Sequence, residues 1–194
     1  MLSKSERTKK MILEKATELF IQKGYSAVTM KDVCEATGLS RGGLYRHFRS
    51  TGEMIISLIR AEQQNADNEF KEALAEGKSA LQILDLFIDT HNRFLLSPKS
   101  ALELAANQFA LLDEKGKQIN AERAWTTVKR TSHLVRLGQE EGVFIDGDPD
   151  SIAWHIVLFL GGLRTKTALD GAEPAFIYSQ TNWIRDFLLK PNFK

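Results

Sequence analysis

The 194-residue sequence has one cysteine, four prolines and no long apolar run. A single cysteine, Cys34, cannot form an internal disulfide and cannot supply a structural zinc site by itself. The longest uncharged apolar stretch, residues 151–163, is shorter than the roughly 18 to 20 residues that a membrane-spanning helix requires. The N-terminal residues lead into a charged amphipathic pattern and not into the apolar segment of a secretory signal. We therefore expect a cytoplasmic protein without a membrane partner.

Charge is balanced over the whole chain but not along it. The sequence contains 26 basic and 25 acidic side chains, a net charge of +1. Residues 1–50 hold ten basic and five acidic side chains, a net +5, which leaves −4 for the remaining 144 residues. Such an asymmetry is typical of a protein in which one segment meets phosphate, although a run of charges is also a common solvated face. The charge distribution alone leaves both interpretations open.

The hydrophobic pattern predicts an all-α protein. Apolar residues recur at helical spacing almost throughout, and no long stretch alternates with period two, so the sequence indicates about nine helices. Pro98, Pro149 and Pro174 each lie where one periodic run ends and another begins. We expect an N-terminal three-helix domain over residues 1–50 and a larger helical domain over residues 51–194.

The segment TMKDVCEATGLSRGGLYRHF, residues 29–48, has the pattern of a helix-turn-helix unit. Thr29 is expected to cap a short helix that ends at Gly38, and Ser40 is expected to cap a second one. In such units the second helix enters the major groove of DNA with its N-terminal residues against the base edges. The residues of the second helix that we expect at this surface are Arg41, Gly42, Gly43, Tyr45, Arg46 and His47.

The second helix contains both apolar residues and a pair of glycines. Leu44, Tyr45 and Phe48 are expected to turn inward. The pair Gly42-Gly43 conflicts with a short helix, because each mid-helix glycine costs about 0.8 to 1 kcal/mol relative to alanine. Close approach of the backbone to DNA and simple tolerance by the surrounding packing explain the pair equally well.

The same region resembles a known family. The run GYSAVTMKDVCEATGLSRGGLYRHFRSTGEM, within residues 9–54, is similar to the N-terminal DNA-binding domain of the TetR (tetracycline-repressor) family of transcriptional regulators. The helix ending in Gly-Tyr, the threonine cap, the Ala-x-Gly-Leu-Ser turn and the Leu-Tyr-x-His-Phe end occur in the order and spacing of the family. The resemblance covers about a quarter of the chain; the rest resembles the family only in length and helical pattern.

The resemblance implies roles for individual residues. It implies that Thr29, Tyr45 and His47 bind phosphates, and that residues 41–43 line the base edges. Two positions depart from the family: Gly43 replaces a common threonine or serine, and Thr51 replaces the lysine that usually opens the fourth helix as a phosphate contact. One backbone contact is therefore expected to be weaker. The full set that we expect at the DNA surface is Thr29, Ser40, Arg41, Gly42, Gly43, Tyr45, Arg46 and His47.

The two C-terminal helices are expected to pair with a second copy of the chain. The run from Pro149 to Asp170 is apolar around much of its circumference, which requires burial on nearly all sides. A central core helix is the alternative. The interface residues that we predict are Trp154, Val157, Leu158, Gly161, Trp183 and Phe187.

The family resemblance also implies a cavity for a small-molecule effector in the second domain, among the helices of residues 81–141. Binding pockets are mostly apolar with a few polar groups that orient the ligand. For each single residue, however, ordinary core is the more common explanation of an aromatic side chain at helical spacing. The candidate lining residues are His91, Phe94, Gln108, Phe109, Trp125 and His133.

The sequence contains no recognisable catalytic or metal-binding pattern. None of the four histidines has a carboxylate, histidine or cysteine three or four residues away, and neither a GxSxG elbow nor a P-loop is present. Cys34 is expected to be a small buried apolar residue. We expect no metal, no cofactor and no enzymatic activity.

The sequence therefore predicts a ligand-responsive transcriptional regulator, specifically a repressor. As a homodimer it would bind a palindromic double-stranded DNA operator and be released by a small-molecule effector. The alternative is an all-helical small-molecule-binding or adaptor protein whose N-terminal motif serves protein contacts.

Overall fold

The computed structural model describes residues 3–171 and 173–193. Met1 and Leu2, which form part of the segment that argued against a secretory signal, lie outside the described residues. Over the described ranges the chain is all-α, as predicted, and it contains nine α-helices and two short 3-10 helices. The α-helices are α1 (Lys4–Lys23), α2 (Met30–Thr37), α3 (Arg41–Tyr45), α4 (Thr51–Ala75), α5 (Ala80–Leu95), α6 (Leu102–Leu112), α7 (Glu114–Glu140), α8 (Pro149–Asp170) and α9 (Pro174–Leu188).

Helix ends follow the local capping signals of the sequence. Serine or threonine side chains accept backbone N–H groups at the starts of α1, α2, α3 and α5, and Asp148 does so at the start of α8. Pro149 and Pro174 occupy the first turns of α8 and α9, where the missing N–H costs nothing. Gly24 and Gly38 end α1 and α2 with φ of 74° and 68°, which favours glycine.

The chain forms two compact units. Unit 1 comprises residues 1–62 and 101–121, and unit 2 comprises residues 63–100 and 122–194. These units do not coincide with the functional division at residue 50, which stays a prediction about which part meets DNA and which meets an effector. The main difference is that α6 belongs to the same unit as α1, α2 and α3.

Unit 1 has its own hydrophobic core. Ile12, Ala16 and Phe20 of α1 are buried, since they recur at helical spacing on one face. α6 packs against α1 with a second apolar stripe, Ala105, Ala106 and Phe109. The surface that supports the first three helices is therefore formed in part by α6, which lies far along the sequence. The other buried residues of this core are Val28, Val33, Leu44, Phe48, Met54, Ile55, Ile56, Ile59 and Ile119.

Unit 2 is built around α5, α8 and α9. α5 packs closely against α9, and one buried polar contact lies between them, because the Thr181 hydroxyl donates to Asn92 Oδ1 at 2.8 Å. The Arg185 Nε donates to Asp85 Oδ1 at 3.0 Å at the edge of the same pair. Within the described ranges no helix is long and apolar enough to cross a membrane.

Candidate functional site

A capping box fixes the start of α2. The Thr29 hydroxyl accepts a hydrogen bond from Asp32 N at 3.2 Å, and Asp32 Oδ2 accepts one from Thr29 N at 2.8 Å. Lys23 Nζ donates to Asp32 Oδ1 at 2.7 Å, so the end of α1 is joined to the start of α2. The Lys23 ammonium and the Thr29 donors hold the pKa of the Asp32 carboxyl far below its usual range. The predicted Thr29 cap is confirmed in its structural role.

Turn chemistry places α3 directly after α2. Gly38 adopts the left-handed conformation that reverses the chain, and the Ser40 hydroxyl then caps α3 by accepting from Gly43 N at 3.2 Å. α3 has only five residues, and Leu44 is its one fully buried side chain. The remaining side chains of α3 point away from unit 1. This is the arrangement expected of a helix that contacts DNA.

The predicted DNA-contact residues are mostly exposed. Tyr45 was expected to turn inward with Leu44 and Phe48, and this was wrong, because its side chain is 40% exposed. A five-residue helix has room for one inward position, and Leu44 occupies it. Arg41 lies over the Tyr45 ring, with its guanidinium carbon 5.8 Å from the ring centroid. Of the predicted set, Thr29, Ser40, Arg41, Gly42, Tyr45 and Arg46 are exposed, and Gly43 and His47 are half-buried.

The two glycines of α3 have different surroundings. A Cβ added at Gly42 would meet no atom of the protein within 4 Å. A Cβ added at Gly43 would lie 3.3 Å from Ser40 Oγ, close to the capping hydroxyl. Packing within the protein therefore gives a reason for glycine at position 43 but none at position 42.

The start of α4 contains Thr51, one of the two departures from the family pattern. A Cβ added at Gly52 would lie 3.3 Å from both Phe109 Cε2 and the Tyr25 hydroxyl oxygen. The Thr51 side chain hydrogen-bonds with Tyr25, whose burial raises the pKa of its phenol above the ordinary value. Thr51 is thus engaged with Tyr25, where the family has a lysine that contacts phosphate.

Gln108 and Phe109 of α6 lie in unit 1, next to the turn that follows α1. Gln108 Oε1 accepts from Tyr25 N at 2.8 Å, and the Phe109 and Tyr25 ring centroids are 4.9 Å apart. Both residues were candidates for effector binding, but neither lines the cavity of unit 2. Sequence reasoning missed their contact with Tyr25 because it joins positions 83 residues apart. The one signal in the sequence was the apolar stripe of α6, which indicates that one face of this helix is buried but not what it contacts.

The outer faces of α8 and α9 carry exposed apolar side chains. Leu158 is 66% exposed and Trp183 is 55% exposed, and the stacked rings of Trp183 and Phe187 have centroids 5.3 Å apart. Trp154, Val157 and Gly161 are half-buried on the same stretch of α8. Single exposed apolar residues are ordinary, whereas exposed apolar residues that lie together raise the question of a partner surface.

Unit 2 contains a cavity of about 50 Å³ between α4, α5 and α7. Among its lining residues, His91 and Thr131 are buried, whereas Glu69 is exposed. His91 Nδ1 donates to Phe87 O at 2.8 Å, and burial together with the charges of Arg164 and Arg130 lowers the pKa of His91 to about 3. The lining side chains are Ala66, Glu69, Phe70, Ile83, Leu86, Phe87, Thr90, His91, Arg130, Thr131 and Leu134.

The other candidate lining residues of unit 2 lie outside this cavity. Phe94 packs under Arg164, whose guanidinium carbon is 4.4 Å from the ring centroid. Trp125 is 55% exposed and meets the Trp154 ring at 5.1 Å, which places it beside the apolar surface of α8. His133 is exposed, with its ring 5.3 Å from that of Phe70. Of the six candidates, only His91 lines the cavity.

The part of the chain that the structure describes contains no cluster of three or more histidine, cysteine or acidic side chains that could hold a metal ion. Cys34 is half-buried against the core of unit 1 and not fully buried as the sequence had suggested.

Known proteins are similar to this chain both in sequence, above all near its N-terminus, and in fold. Residues 12–58 match the model of the bacterial regulatory proteins of the tetR family. A segment of 138 residues is 33% identical to the uncharacterized HTH-type transcriptional regulator YfiR of Bacillus subtilis, covering 69% of this chain and 66% of that protein. A segment of 93 residues is 27% identical to the HTH-type transcriptional repressor KstR2 of Rhodococcus jostii, covering 48% of this chain and 46% of that repressor. The chain thus matches less than two thirds of the length of either relative.

The fold as a whole is similar to that of GusR from Salmonella enterica. The TM-score is 0.77 at 21% identity, and the similarity covers 96% of this chain and 98% of GusR. At this identity the likeness concerns the fold alone.

Proposed function

The chain belongs to the TetR family of bacterial regulatory proteins, and on that premise we propose that it is a homodimeric, ligand-responsive repressor of transcription. It binds a palindromic operator through α3 and is released from it by a small-molecule effector. The observation that carries the proposal is the exposed, Ser40-capped α3, with Arg41, Tyr45 and Arg46 on its free surface.

Arg41 is the residue that reads sequence. It lies in the first turn of α3, which in a helix-turn-helix faces the base edges, and its guanidinium can donate two parallel hydrogen bonds to a guanine. The Tyr45 ring beside the guanidinium restricts the rotamers of both side chains. Arg46 follows the helix end and contacts phosphate, so it contributes affinity and salt dependence without sequence preference.

The protein backbone approaches DNA at Gly42. Nothing in unit 1 approaches the position of a Cβ at this residue, so packing gives no reason for the helix to accept the cost of glycine. Close contact with a DNA strand supplies such a reason. Thr29, Tyr45 and His47 hold the flanking phosphates, while Thr51 contributes less because it is engaged by Tyr25.

The second copy of the chain covers the outer faces of α8 and α9. Leu158, Trp183 and Phe187 would be removed from water, at about 25 cal/mol per Å² of apolar surface. The half-buried Gly161 has no atom near its Cβ position, so a partner helix can approach closely there. The two copies then present α3 to successive major grooves, about one helical turn apart.

The effector binds in the cavity of unit 2. For release of DNA, it must bind more tightly to the conformation that does not fit the operator, since equal affinity for both conformations shifts nothing. α4 lines this cavity with Ala66, Glu69 and Phe70 and also supplies residues to unit 1, so a ligand that displaces α4 changes the placement of the DNA-binding helices. The protein acts in the cytoplasm, uses no cofactor and catalyses no reaction.

Selection of bound DNA from a random pool tests the proposal. We expect an enriched palindrome with half-sites about 10 base pairs or a multiple of that apart, bound with an affinity that falls steeply as salt rises. Absence of an enriched site, or binding that is indifferent to salt, would favour a small-molecule-binding or adaptor protein and overturn the proposal.

A further inference from the structure

The cavity of unit 2 is lined by a residue, Thr131, whose buried side-chain oxygen lacks a partner. Thr131 is only 3% exposed, and its buried side-chain oxygen makes no hydrogen bond. An unpartnered buried hydroxyl is rare because it loses its hydrogen bonds to water without replacement. A ligand that enters the cavity can restore one.

His91 presents an acceptor to the same cavity. Its Nδ1 hydrogen is used by the carbonyl oxygen of Phe87, one turn earlier on α5. Because the ring is neutral, with a pKa of about 3, its other nitrogen, Nε2, carries a lone pair and no proton. The ligand group beside His91 must therefore be a donor.

A hydroxyl group meets both requirements. It can donate its hydrogen to His91 Nε2 and accept the hydrogen of the Thr131 hydroxyl. A carboxylate has no hydrogen for Nε2 and would lie against its lone pair.

The rest of the cavity determines the body of the ligand. Its walls are apolar and include the rings of Phe70 and Phe87, which suit a flat apolar molecule. The volume of about 50 Å³ is small, but the cavity opens beside the exposed Glu69, so a ligand can extend outward from its buried hydroxyl.

We propose that this cavity binds a phenol, with the phenolic hydroxyl buried between His91 and Thr131 and the ring against Phe70 and Phe87. This assignment rests on the proposed function, since it names the chemical class of the effector.

Calorimetric titration of the full chain with three matched probes tests the assignment. Phenol carries the hydroxyl, toluene replaces it with a methyl group of similar size, and benzoate replaces it with an anion. We expect saturable binding of phenol, at least about tenfold tighter than that of toluene, because toluene leaves His91 and Thr131 unpaired. Benzoate should bind more weakly still. Equal or tighter binding of toluene or benzoate, or no binding of phenol, overturns the assignment.

Two threonine variants make the test specific to the cavity. Thr131→Val should weaken phenol binding by about tenfold and leave toluene binding unchanged. Thr167→Val is the matched control, because Thr167 also has a buried, unpartnered hydroxyl but does not line the cavity. It should bind phenol as the unaltered protein does. Equal losses in the two variants would contradict a contact with Thr131.

His91→Phe provides an independent check, because it keeps a ring but removes the acceptor. It should lose the preference for phenol over toluene, and retention of that preference would contradict the role of Nε2. Operator binding is measured on the same samples without phenol. If the operator is bound and phenol is not, the effector class is wrong and the proposed function stands. If no operator is found, the proposed function fails, and the calorimetry still reports whether the cavity binds phenol.

Discussion

Gln108 Oε1 accepts a hydrogen bond from the backbone N–H of Tyr25 at 2.8 Å, which joins α6 to the turn between α1 and α2. The same oxygen accepts a longer bond from Ser26 N at 3.4 Å. Through Gln108, a helix far along the sequence helps to fix the position of the helices that precede α3.

Removal of this side chain should loosen unit 1. We expect Gln108→Ala to lower the free energy of unfolding by about 1 to 3 kcal/mol, because the Tyr25 N–H loses its partner. Operator affinity should fall as well. Denaturant unfolding and DNA binding measure the two effects. Gln64→Ala is the control, since Gln64 is exposed and donates to Asn68 on its own helix. Equal effects of the two changes would contradict the role of Gln108.

Arg41→Ala should relax sequence discrimination. If Arg41 makes two hydrogen bonds to one base, its loss costs about 1 to 3 kcal/mol on the preferred operator and little on variants at that base. Arg46→Ala should instead weaken binding to all sequences alike and lower the salt dependence. Competition binding with single-base operator variants compares the two proteins. Unchanged discrimination after Arg41→Ala would refute the assignment of roles.

Gly42→Ala should change stability and DNA binding in opposite directions. Alanine is the better helix former by about 0.8 to 1 kcal/mol, and its Cβ meets nothing in unit 1, so unfolding should require more denaturant. Operator affinity should nevertheless fall, because the added methyl group prevents close approach to DNA. An alanine variant that is more stable and binds DNA equally well would show that packing merely tolerates the glycine.

Leu158→Glu should separate the proposed dimer into monomers. A buried carboxylate at the interface lacks a partner and is costly to remove from water. Sedimentation at micromolar concentration gives the oligomeric state. Leu112→Glu is the matched control, because both leucines are 66% exposed but Leu112 lies in α6. A monomeric unaltered protein, or a dimeric Leu158→Glu variant, would rule out the proposed interface.

Acid should destabilise the protein through His91. Its pKa of about 3 in the folded protein lies below the unfolded value of about 6.5, so unfolding takes up a proton at intermediate pH. The stability that neutral His91 contributes is complete above about pH 6.5 and is lost progressively as pH falls toward 3. Between pH 7.5 and 5 the unaltered protein should lose about 2 kcal/mol more than His91→Phe in denaturant unfolding. If the free energy of unfolding fell equally with pH in the unaltered protein and in His91→Phe, His91 would not be held neutral in the folded protein.

Local signals allowed much of the fold to be predicted. Pro149 and Gly171 frame α8, whose observed ends coincide with those expected, and Thr29 and Ser40 start α2 and α3 as predicted. These features depend on neighbours within about four residues, so the sequence order alone contains them.

Contacts between distant segments could not be predicted in the same way. Periodicity shows that Phe109 lies on an apolar face of α6, but not that this face meets Tyr25. It identifies His91 as inward-facing, yet the cavity also requires Thr131 from α7 and Phe70 from α4. Tyr45 illustrates the same limit on a smaller scale, because the number of inward positions depends on where α3 ends.

The shortness of α3 has a consequence for the free protein. A helix of five residues, with two glycines, is far below the length at which helices are stable on their own. Its order depends on the Ser40 cap and on the anchoring of Leu44 in the core. The amide hydrogens of α3 should therefore exchange with solvent while those of α1 stay protected. If α3 contacts the bases as proposed, DNA itself contributes to its order, and slow exchange in α3 becomes a signature of the bound state.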